Sequence, residues 1–222
     1  MTPIALLGGT FDPVHYGHLR FADEIRRTLG LAELRLVPAG DPPHRAGPAA
    51  GAADRLAMLR LGAAEFAGLV VDDREILRTG KSYTVLTLEE LRRDDVRRPL
   101  LLLLGADAFR GLPTWHRWRE IFALAHIIVV TRPGVALRDG LPPPLAAEWN
   151  ARVTRDRDLL FSTPAGAIYE ARVSPQPIAA TDIRTQLARG PAGVAAVSGL
   201  LPPSVLAYID QHRLYATPPD AT

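Results

Sequence analysis

Short apolar runs alternate along the chain with segments in which apolar residues recur every three or four positions. Strand-length segments, most of them apolar throughout, lie at residues 4–7, 34–38, 69–71, 100–104, 127–130 and 167–173. Continuous apolar runs of this length are typical of parallel strands buried on both faces. The alternation predicts an α/β fold: a single Rossmann-like open parallel sheet with helices on both faces and a helical C-terminal end, with residues 100–104 as the central strand.

Helical segments fill the intervals between these strands. Phe21, Ala22, Ile25 and Leu29 lie on one face of the first helix, and Gly30 is placed to end it. Further helices are predicted over 55–66, from residue 84, from residue 113, over 145–153, from residue 181 to 190, and over 201–214. We expect one domain over residues 1–215 and a flexible tail over 216–222.

Hydroxyl side chains stand where two of these helices begin. Ser82 or Thr84 is placed to cap one helix, and Thr181 is placed as the N-cap of a later one, with Arg184 in its first turn. A basic residue in a first turn opposes the helix dipole unless an anion offsets it. The second of these patterns therefore points to a bound phosphate.

Composition narrows the class of protein. The formal net charge of +2 gives no indication of nucleic-acid binding, and the absence of cysteine excludes disulfides and a thiol nucleophile. Neither a signal peptide nor an apolar run of membrane-spanning length is evident. We expect a cytoplasmic protein whose partners are small molecules rather than nucleic acid or membrane.

The stretch GGTFDPVHYGH, residues 8–18, joins the first strand to the first helix. Gly8 and Gly9 lack a Cβ, so the backbone can bend sharply there and approach a ligand closely. The N–H groups at the start of the helix, together with its dipole, favour an anion. His15 and His18 project from neighbouring positions, from which imidazoles can donate to phosphate oxygens, most strongly where charge grows in a transition state.

Other interpretations of the two histidines remain open from the residues alone. Histidines near a turn can simply be surface residues. A metal site would need a third ligand, but the chain has no cysteine and no further ligand at a characteristic spacing. We therefore predict no metal ion held by the protein itself.

The segment GTFDPVHYGH resembles the (H/T)xGH signature of the nucleotidyltransferase α/β-phosphodiesterase superfamily, and the longer GGTFDPVHYGH resembles the bacterial nicotinate-mononucleotide adenylyltransferase family. The resemblance implies transfer of AMP from ATP to nicotinate mononucleotide (NaMN), giving deamido-NAD (NaAD) and pyrophosphate. It implies direct in-line attack, since a phosphate monoester is already an anionic nucleophile. Mg²⁺ would accompany ATP, held mainly by phosphates and water.

Further segments resemble that family's motifs in the same order along the chain. PPHR resembles PPH(K/R), SYT and RPG match directly, GAD resembles GxD, PTW resembles PxW, and IAATDIR resembles IS(S/T)TxxR. Ala179 and Ala180 stand where the last motif commonly has serines, so only Thr181 and Arg184 are carried over from it.

The resemblance implies three sets of site residues. The catalytic residues would be His15, His18 and Arg184. ATP would bind Gly8, Gly9, Thr10, Phe11, Gly17, His18, Gly105, Asp107, Arg132, Thr181 and Arg184. NaMN would bind His44, Arg45, Thr84, Trp115 and His116, with Trp115 stacked on the pyridine ring and main-chain N–H groups near Thr84 and His116 holding its carboxylate.

Alternatives remain for several of these residues and for the function. Asp107 could bind magnesium, cap a helix or accept from a ribose hydroxyl, Trp115 could belong to the core, and the basic residues of PPHR and RPG could be solvated. An adenylyltransferase for nicotinamide mononucleotide or phosphopantetheine is one rival function. A non-catalytic nucleotide-binding module is another, although binding alone does not require transition-state stabilisers. The sequence does not decide between a monomer and a homo-oligomer.

Overall fold

Parallel strands form the centre of the molecule. The computed structural model describes residues 2–42, 47–131, 137–174 and 176–216. Strands within these ranges are Ile4–Gly9 (β1), Leu34–Pro38 (β2), Leu69–Val71 (β3), Leu100–Gly105 (β4), His126–Thr131 (β5), Val153–Thr154 (β6) and Ile168–Arg172 (β7). They pair in the order β3-β2-β1-β4-β5-β7-β6, each pair parallel. The α/β prediction is confirmed, with β4 in the centre.

Helices connect the strands and cover both faces of the sheet. Those in the described ranges are Tyr16–Thr28 (α1), Ala52–Ala63 (α2), Arg74–Leu77 (α3), Thr84–Asp94 (α4), Ala106–Arg110 (α5), Ile121–Leu124 (α6), Pro143–Arg152 (α7), Leu159–Ser162 (α8), Ala180–Leu187 (α9), Pro191–Val197 (α10) and Pro203–Gln211 (α11). None of these helices is long and apolar enough to cross a membrane. Most of the tail predicted over 216–222 lies outside the described residues.

Alternate residues of the central strands supply two cores, one on each face of the sheet. Leu101 and Leu103 of β4 pack in one core with α1, α2, α9, α10 and α11. Leu100, Leu102 and Leu104 pack in the other core with α4, α5, α6 and α7. Because successive side chains of a strand point to opposite faces, a strand covered on both sides has to be apolar throughout. This is why the leucine run became the central strand.

The helix predicted from residue 113 is wrong. Short 3-10 helices occupy Leu112–Thr114 and Trp118–Glu120, and the α-helix α6 begins only at Ile121. Arg117 interrupts the helical path with a φ of +51°, in the left-handed region that residues with a Cβ rarely adopt. Its guanidinium donates to the carboxylates of Glu120 and Glu89, at 2.8 and 2.6 Å. These ion pairs hold the Arg117 side chain at the left-handed turn. Trp115, two residues earlier, is in an extended conformation and does not continue a helix.

The predicted start of α9 is also wrong. Its N-cap is Ala179, so Thr181 is the second helical residue and Arg184 lies in the second turn. Ala180 has the highest helix propensity of any residue type, and it extends the helix one position toward the N-terminus. The cap itself makes no side-chain hydrogen bond. Thr181 is consequently free to interact outside the helix backbone.

Close packing of α9 on α10 provides a test of this part of the fold. A Cβ at Gly193 would lie 1.7 Å from the carbonyl oxygen of Gln186. We expect Gly193→Ala to lower the free energy of unfolding by about 2–3 kcal/mol, because the two helices must move apart. Gly199→Ala is the control, since nothing lies within 4 Å of a Cβ there, and its effect should stay within about 0.5 kcal/mol. Urea unfolding measures both, and equal effects would contradict the packing described.

Candidate active site

A cavity of about 1330 Å³ opens at the carboxyl edge of the sheet. The ends of β1 and β4 form its floor, where the strand order turns from β2-β1 to β4-β5. Ligands of open parallel sheets bind at this topological switch point. The predicted site residues that the structure describes all line this cavity: Gly8, Gly9, Thr10, Phe11, His15, Gly17, His18, Thr84, Gly105, Asp107, Trp115, His116, Thr181 and Arg184. His44, Arg45 and Arg132 lie outside the described residues.

The two histidines of the first turn stack on each other. Their ring centroids lie 3.8 Å apart with 25° between the ring planes. Phe11 meets the ring of His18 edge-on at 5.1 Å. His15 is the N-cap of α1 and is 4% exposed, and His18 is half-buried. The turn therefore presents one block of aromatic rings to the cavity.

Two glycines of the turn make room for these rings. A Cβ at Gly17 would lie 2.8 Å from Cε1 and Nδ1 of His15, and a Cβ at Gly9 would lie 3.0 Å from Cζ of Phe11. A Cβ at Gly8, in contrast, would meet nothing within 4 Å. Gly9 and Gly17 are thus needed for packing within the turn, while Gly8 leaves the backbone open to the cavity.

The start of α1 offers fewer free N–H groups than the sequence suggested. The N–H of Tyr16 donates to the carbonyl oxygen of Leu200 at 2.9 Å, and that of His18 donates to His15 at 2.9 Å. These amides are already used within the protein. These two amides are consequently not available to a ligand, which leaves the side chains of the turn as the groups that face the cavity.

Burial keeps both imidazoles neutral at pH 7. It lowers the pKa of His15 to about 4, and burial together with the neighbouring His15 lowers the pKa of His18 to about 3. Within the part of the chain that the structure describes, the Nδ1 atoms of both rings are buried without a hydrogen-bond partner. A buried N–H without an acceptor is costly, so each neutral ring is better protonated on Nε2. The pair can then donate two hydrogen bonds.

Asp12 is a residue of the site that the sequence analysis missed. It is 6% exposed, and its carboxylate accepts from the N–H groups of Ala49 and Ala50 at 2.7 and 3.1 Å. It also accepts from the Tyr215 hydroxyl at 2.6 Å. The signal that could have identified it is its position inside the GGTFDPVHYGH stretch, beside the two histidines.

Arg55 is a second missed residue. It is 1% exposed, and its guanidinium donates to the carbonyl oxygens of Thr10, Gly40 and Ala50 at 2.8, 3.1 and 3.3 Å. Burial lowers the pKa of Arg55, against the opposing effect of the nearby Asp12 carboxylate. The sequence feature that could have identified Arg55 is its position on the apolar face of α2, four residues before the buried Leu59.

Arg184 reaches the same turn from α9. Its Nη1 donates to the main-chain oxygen of Asp12 at 2.7 Å, and its Nη2 donates to Oγ1 of Thr181 at 3.3 Å. Helical side chains lean toward the N-terminus of their helix, so a residue of the second turn covers the first turn. The shifted start of α9 therefore still places the Arg184 guanidinium beside Thr181.

Aromatic side chains surround the other end of the cavity. The rings of Tyr83 and His116 lie 4.4 Å apart, which brings the start of α4 next to the segment after Trp115. Trp115 is half-buried: it packs against the core shared with α4 and also lines the cavity. Trp115 is therefore neither wholly in the core nor wholly exposed.

The structure excludes helix capping, one of the alternatives left open for Asp107, and also the capping role predicted for Ser82 or Thr84. The N-cap of α5 is Gly105, and the Asp107 carboxylate is fully exposed, with Nη1 of Arg110 at 3.4 Å. The N-cap of α4 is Tyr83, which makes no side-chain capping bond, so neither Ser82 nor Thr84 caps this helix.

Ser82 and Glu75 instead form a network that joins two loops of the cavity. Ser82 Oγ accepts from the N–H groups of Gly40 and Asp41 at 2.9 and 3.3 Å, and Thr87 donates to Glu75 at 2.6 Å. Burial raises the pKa of Glu75, against hydrogen bonds from Thr87 and Ser82 that lower it. The segment after β2 is thus attached to the start of α4.

Comparison with known proteins assigns the family. The model of the cytidylyltransferase-like family matches residues 6–186. The chain belongs to this family of nucleotidyltransferases. Within it, the chain is 52% identical over 213 residues to a probable nicotinate-nucleotide adenylyltransferase of Laribacter hongkongensis, covering 96% of this chain and 94% of that protein. It is 48% identical over 215 residues to the protein of the same name from Dechloromonas aromatica, covering 96% and 97%.

These identities place the chain among the nicotinate-nucleotide adenylyltransferases, and the resemblance inferred from the first motif is confirmed. A solved structure of Plasmodium falciparum nicotinic acid mononucleotide adenylyltransferase complexed with NaAD shares the fold, with a TM-score of 0.71, 16% identity and coverage of 97% of this chain and 98% of that one.

The neutral histidine pair predicts how stability depends on pH. Both folded-state pKa values lie below the ordinary value of 6.5, so the unfolded chain binds more protons between about pH 6.5 and about pH 4. The free energy of unfolding should therefore fall as the pH falls through this window, by about 1.4 kcal/mol per pH unit for each imidazole. Replacing both residues, His15→Asn with His18→Asn, should make this fall shallower in urea unfolding.

The exposed His212 provides the control for this experiment. His212→Asn removes a histidine outside the cavity and should leave the steep fall in place. A double variant at His15 and His18 with the wild-type slope would contradict the assignment of two desolvated, neutral rings.

Proposed function

We propose that this chain catalyses nicotinate-nucleotide adenylyl transfer in this cavity, by direct in-line attack of the NaMN phosphate on the α-phosphorus of ATP. A P–O bond forms between NaMN and the α-phosphorus, the bond to the β-phosphate breaks, and pyrophosphate leaves with the electron pair. Membership of the family supports the reaction. The observation that supports its location is the stacked, neutral pair of His15 and His18 in one cavity with Arg184, at the switch point of the sheet.

The protein's contribution in this proposal is positioning and charge stabilisation, since the attacking phosphate is already an anion. His15 and His18 donate from Nε2 to oxygens of the reacting and leaving phosphates, where negative charge grows. The triphosphate in turn favours protonation of the rings, so ATP binding raises their pKa values from the low values of the free protein. Arg184 and Thr181 hold the departing pyrophosphate.

The nicotinate group occupies the aromatic end of the cavity. Trp115 stacks on the pyridine ring, and main-chain N–H groups near Thr84 and His116 receive its carboxylate. The contact between the rings of Tyr83 and His116 supports this arrangement, because it holds the two segments together. A carboxamide would offer this site less negative charge, so the acid is the preferred substrate.

Magnesium enters the proposal as an ion carried by ATP. In this proposal phosphates and water hold the ion for the most part. Asp107, with its exposed carboxylate on the cavity wall, is available to the water shell of that ion. When bound, Mg²⁺ neutralises part of the phosphate charge. We also propose a cytoplasmic location, supported by the absence of cysteine.

A pyrophosphate-release assay tests the function. The purified chain is given ATP and Mg²⁺ with NaMN, nicotinamide mononucleotide or phosphopantetheine in parallel. We expect fast release with NaMN and slower or no release with the other two acceptors. Release only with another acceptor would assign a different adenylyltransferase, and stoichiometric ATP binding without release from any acceptor would contradict the proposed catalysis.

His18→Ala tests the mechanism. Removing a preorganised donor to the transition state should lower kcat by about 10²–10³-fold. The fold should persist, because the site of the lost ring borders an open cavity, and circular dichroism checks this. His212→Ala, outside the cavity, should keep the wild-type rate. Near-normal turnover by His18→Ala would remove this histidine from the mechanism.

A further inference from the structure

The C-terminal segment returns to the turn that carries the two histidines. The hydroxyl of Tyr215 donates to Oδ1 of Asp12 at 2.6 Å, across 203 positions of sequence. Tyr215 is half-buried and does not line the cavity, whereas Asp12 does. The hydrogen bond to Asp12 therefore links Tyr215 to the wall of the cavity.

The backbone after α11 is held in an unfavourable conformation. Arg213 and Tyr215 have φ angles of +51° and +63°. This left-handed region is costly for residues with a Cβ, and such conformations persist only where surrounding contacts determine them. Leu214 and Tyr215 pack against the core that includes α1 and α2. The segment is thus directed inward rather than left free in solvent.

Asp12 connects this segment to two sides of the cavity. One carboxylate oxygen accepts from Ala49, and the other is shared by Ala50 and Tyr215. The main-chain oxygen of the same residue accepts from Arg184 at 2.7 Å. One hydroxyl group consequently helps to orient both the carboxylate that holds residues 49–50 and the peptide that receives Arg184.

Tyr215 is the donor in its hydrogen bond to Asp12. Burial, followed by the hydrogen bond to Asp12, raises the pKa of Tyr215 far above its ordinary value, although Arg184 and Arg55 act in the opposite direction. The hydroxyl therefore stays protonated and keeps its hydrogen bond to the carboxylate, the charge-assisted type that is stronger than a neutral one.

We infer that Tyr215 is a positioning residue of the phosphate-binding turn: its hydrogen bond to Asp12 holds the Arg184 guanidinium and residues 49–50 in place for ATP. This inference rests on the proposed function for its kinetic consequences. It does not make Tyr215 a catalytic residue, since the side chain touches neither the cavity nor a substrate position.

The chain offers a matched pair of variants for the test. Tyr208, on α11, donates to Oδ1 of Asp54 at 3.0 Å, so Tyr208→Phe removes a tyrosine–carboxylate bond of the same segment without touching Asp12. We expect Tyr215→Phe to lower kcat/KM for ATP about tenfold, the effect of one hydrogen bond to a charged group. The KM for NaMN should be unchanged. Tyr208→Phe should keep both constants, even if it loses similar stability.

Two further measurements separate positioning from a general loss of stability. In the Arg184→Ala background, Tyr215→Phe should cost about twofold or less, because both residues act through Asp12, one on its carboxylate and the other on its main-chain oxygen. Amide hydrogen exchange at Ala49 and Ala50 should become faster in Tyr215→Phe and stay unchanged in Tyr208→Phe. This exchange experiment needs no catalytic activity. If Tyr215→Phe does not fold, Tyr215→Leu, which keeps an apolar side chain against the core and removes the hydroxyl, should give the same faster exchange.

The tests of the Tyr215 inference and of the proposed function give results that can be told apart. Wild-type protein that releases no pyrophosphate contradicts the function and leaves the exchange experiment to decide the role of Tyr215. If the wild-type protein is active, any one of three results overturns the inference. These are a normal kcat/KM for ATP in Tyr215→Phe, an equal impairment in Tyr208→Phe, and additive effects of Tyr215→Phe and Arg184→Ala.

Discussion

Charged side chains bound to main-chain atoms hold the turn between β1 and α1, and the rest of the site depends on them. Arg55 from α2 bonds the Thr10 carbonyl, Arg184 from α9 bonds the Asp12 carbonyl, and the Asp12 carboxylate bonds residues 49 and 50. Arg55 and Asp12 are almost completely buried, so a lost partner there would leave a buried charge unsatisfied. The turn is therefore held in one geometry by contacts from widely separated parts of the chain.

Beside these contacts the two imidazoles are brought together, which costs stability once the pH falls below about 6.5. They lie ring against ring and stay neutral because burial disfavours their charged forms. The same low-dielectric surroundings strengthen any interaction with an incoming anion. A site that is unfavourable for protonated histidine in the free protein is thus well suited to a polyphosphate, which supplies the missing negative charge. Stability and ligand binding make opposite demands on the same two rings.

The sheet could be predicted from short stretches of sequence, because a strand that is buried on both faces is apolar at nearly every position. The leucine run of β4 and the strands β2 and β3 could be located directly, whereas the two residues of β6 are too few to carry a pattern. The helix expected at residue 113 failed for a non-local reason: Arg117 has a left-handed φ and pairs with Glu89 on another helix. The caps failed similarly, since the Ser82 hydroxyl is engaged by Gly40 and Asp41, about forty residues away.

The sequence by itself determined the class of fold, the turn with its glycines and histidines, and the family to which the chain belongs, because each of these resides in residues adjacent along the chain. Only the tertiary structure decided that the histidines are stacked and neutral, that Gly9 and Gly17 accommodate rings, and that Asp12, Arg55 and Tyr215 support the site. The neutrality of the rings and the roles of Asp12, Arg55 and Tyr215 arise from desolvation and from hydrogen bonds between segments far apart in sequence, and the ring contacts within the turn need the backbone path that those bonds hold. No local pattern specifies either of them, since both depend on which distant surfaces meet when the sheet is covered.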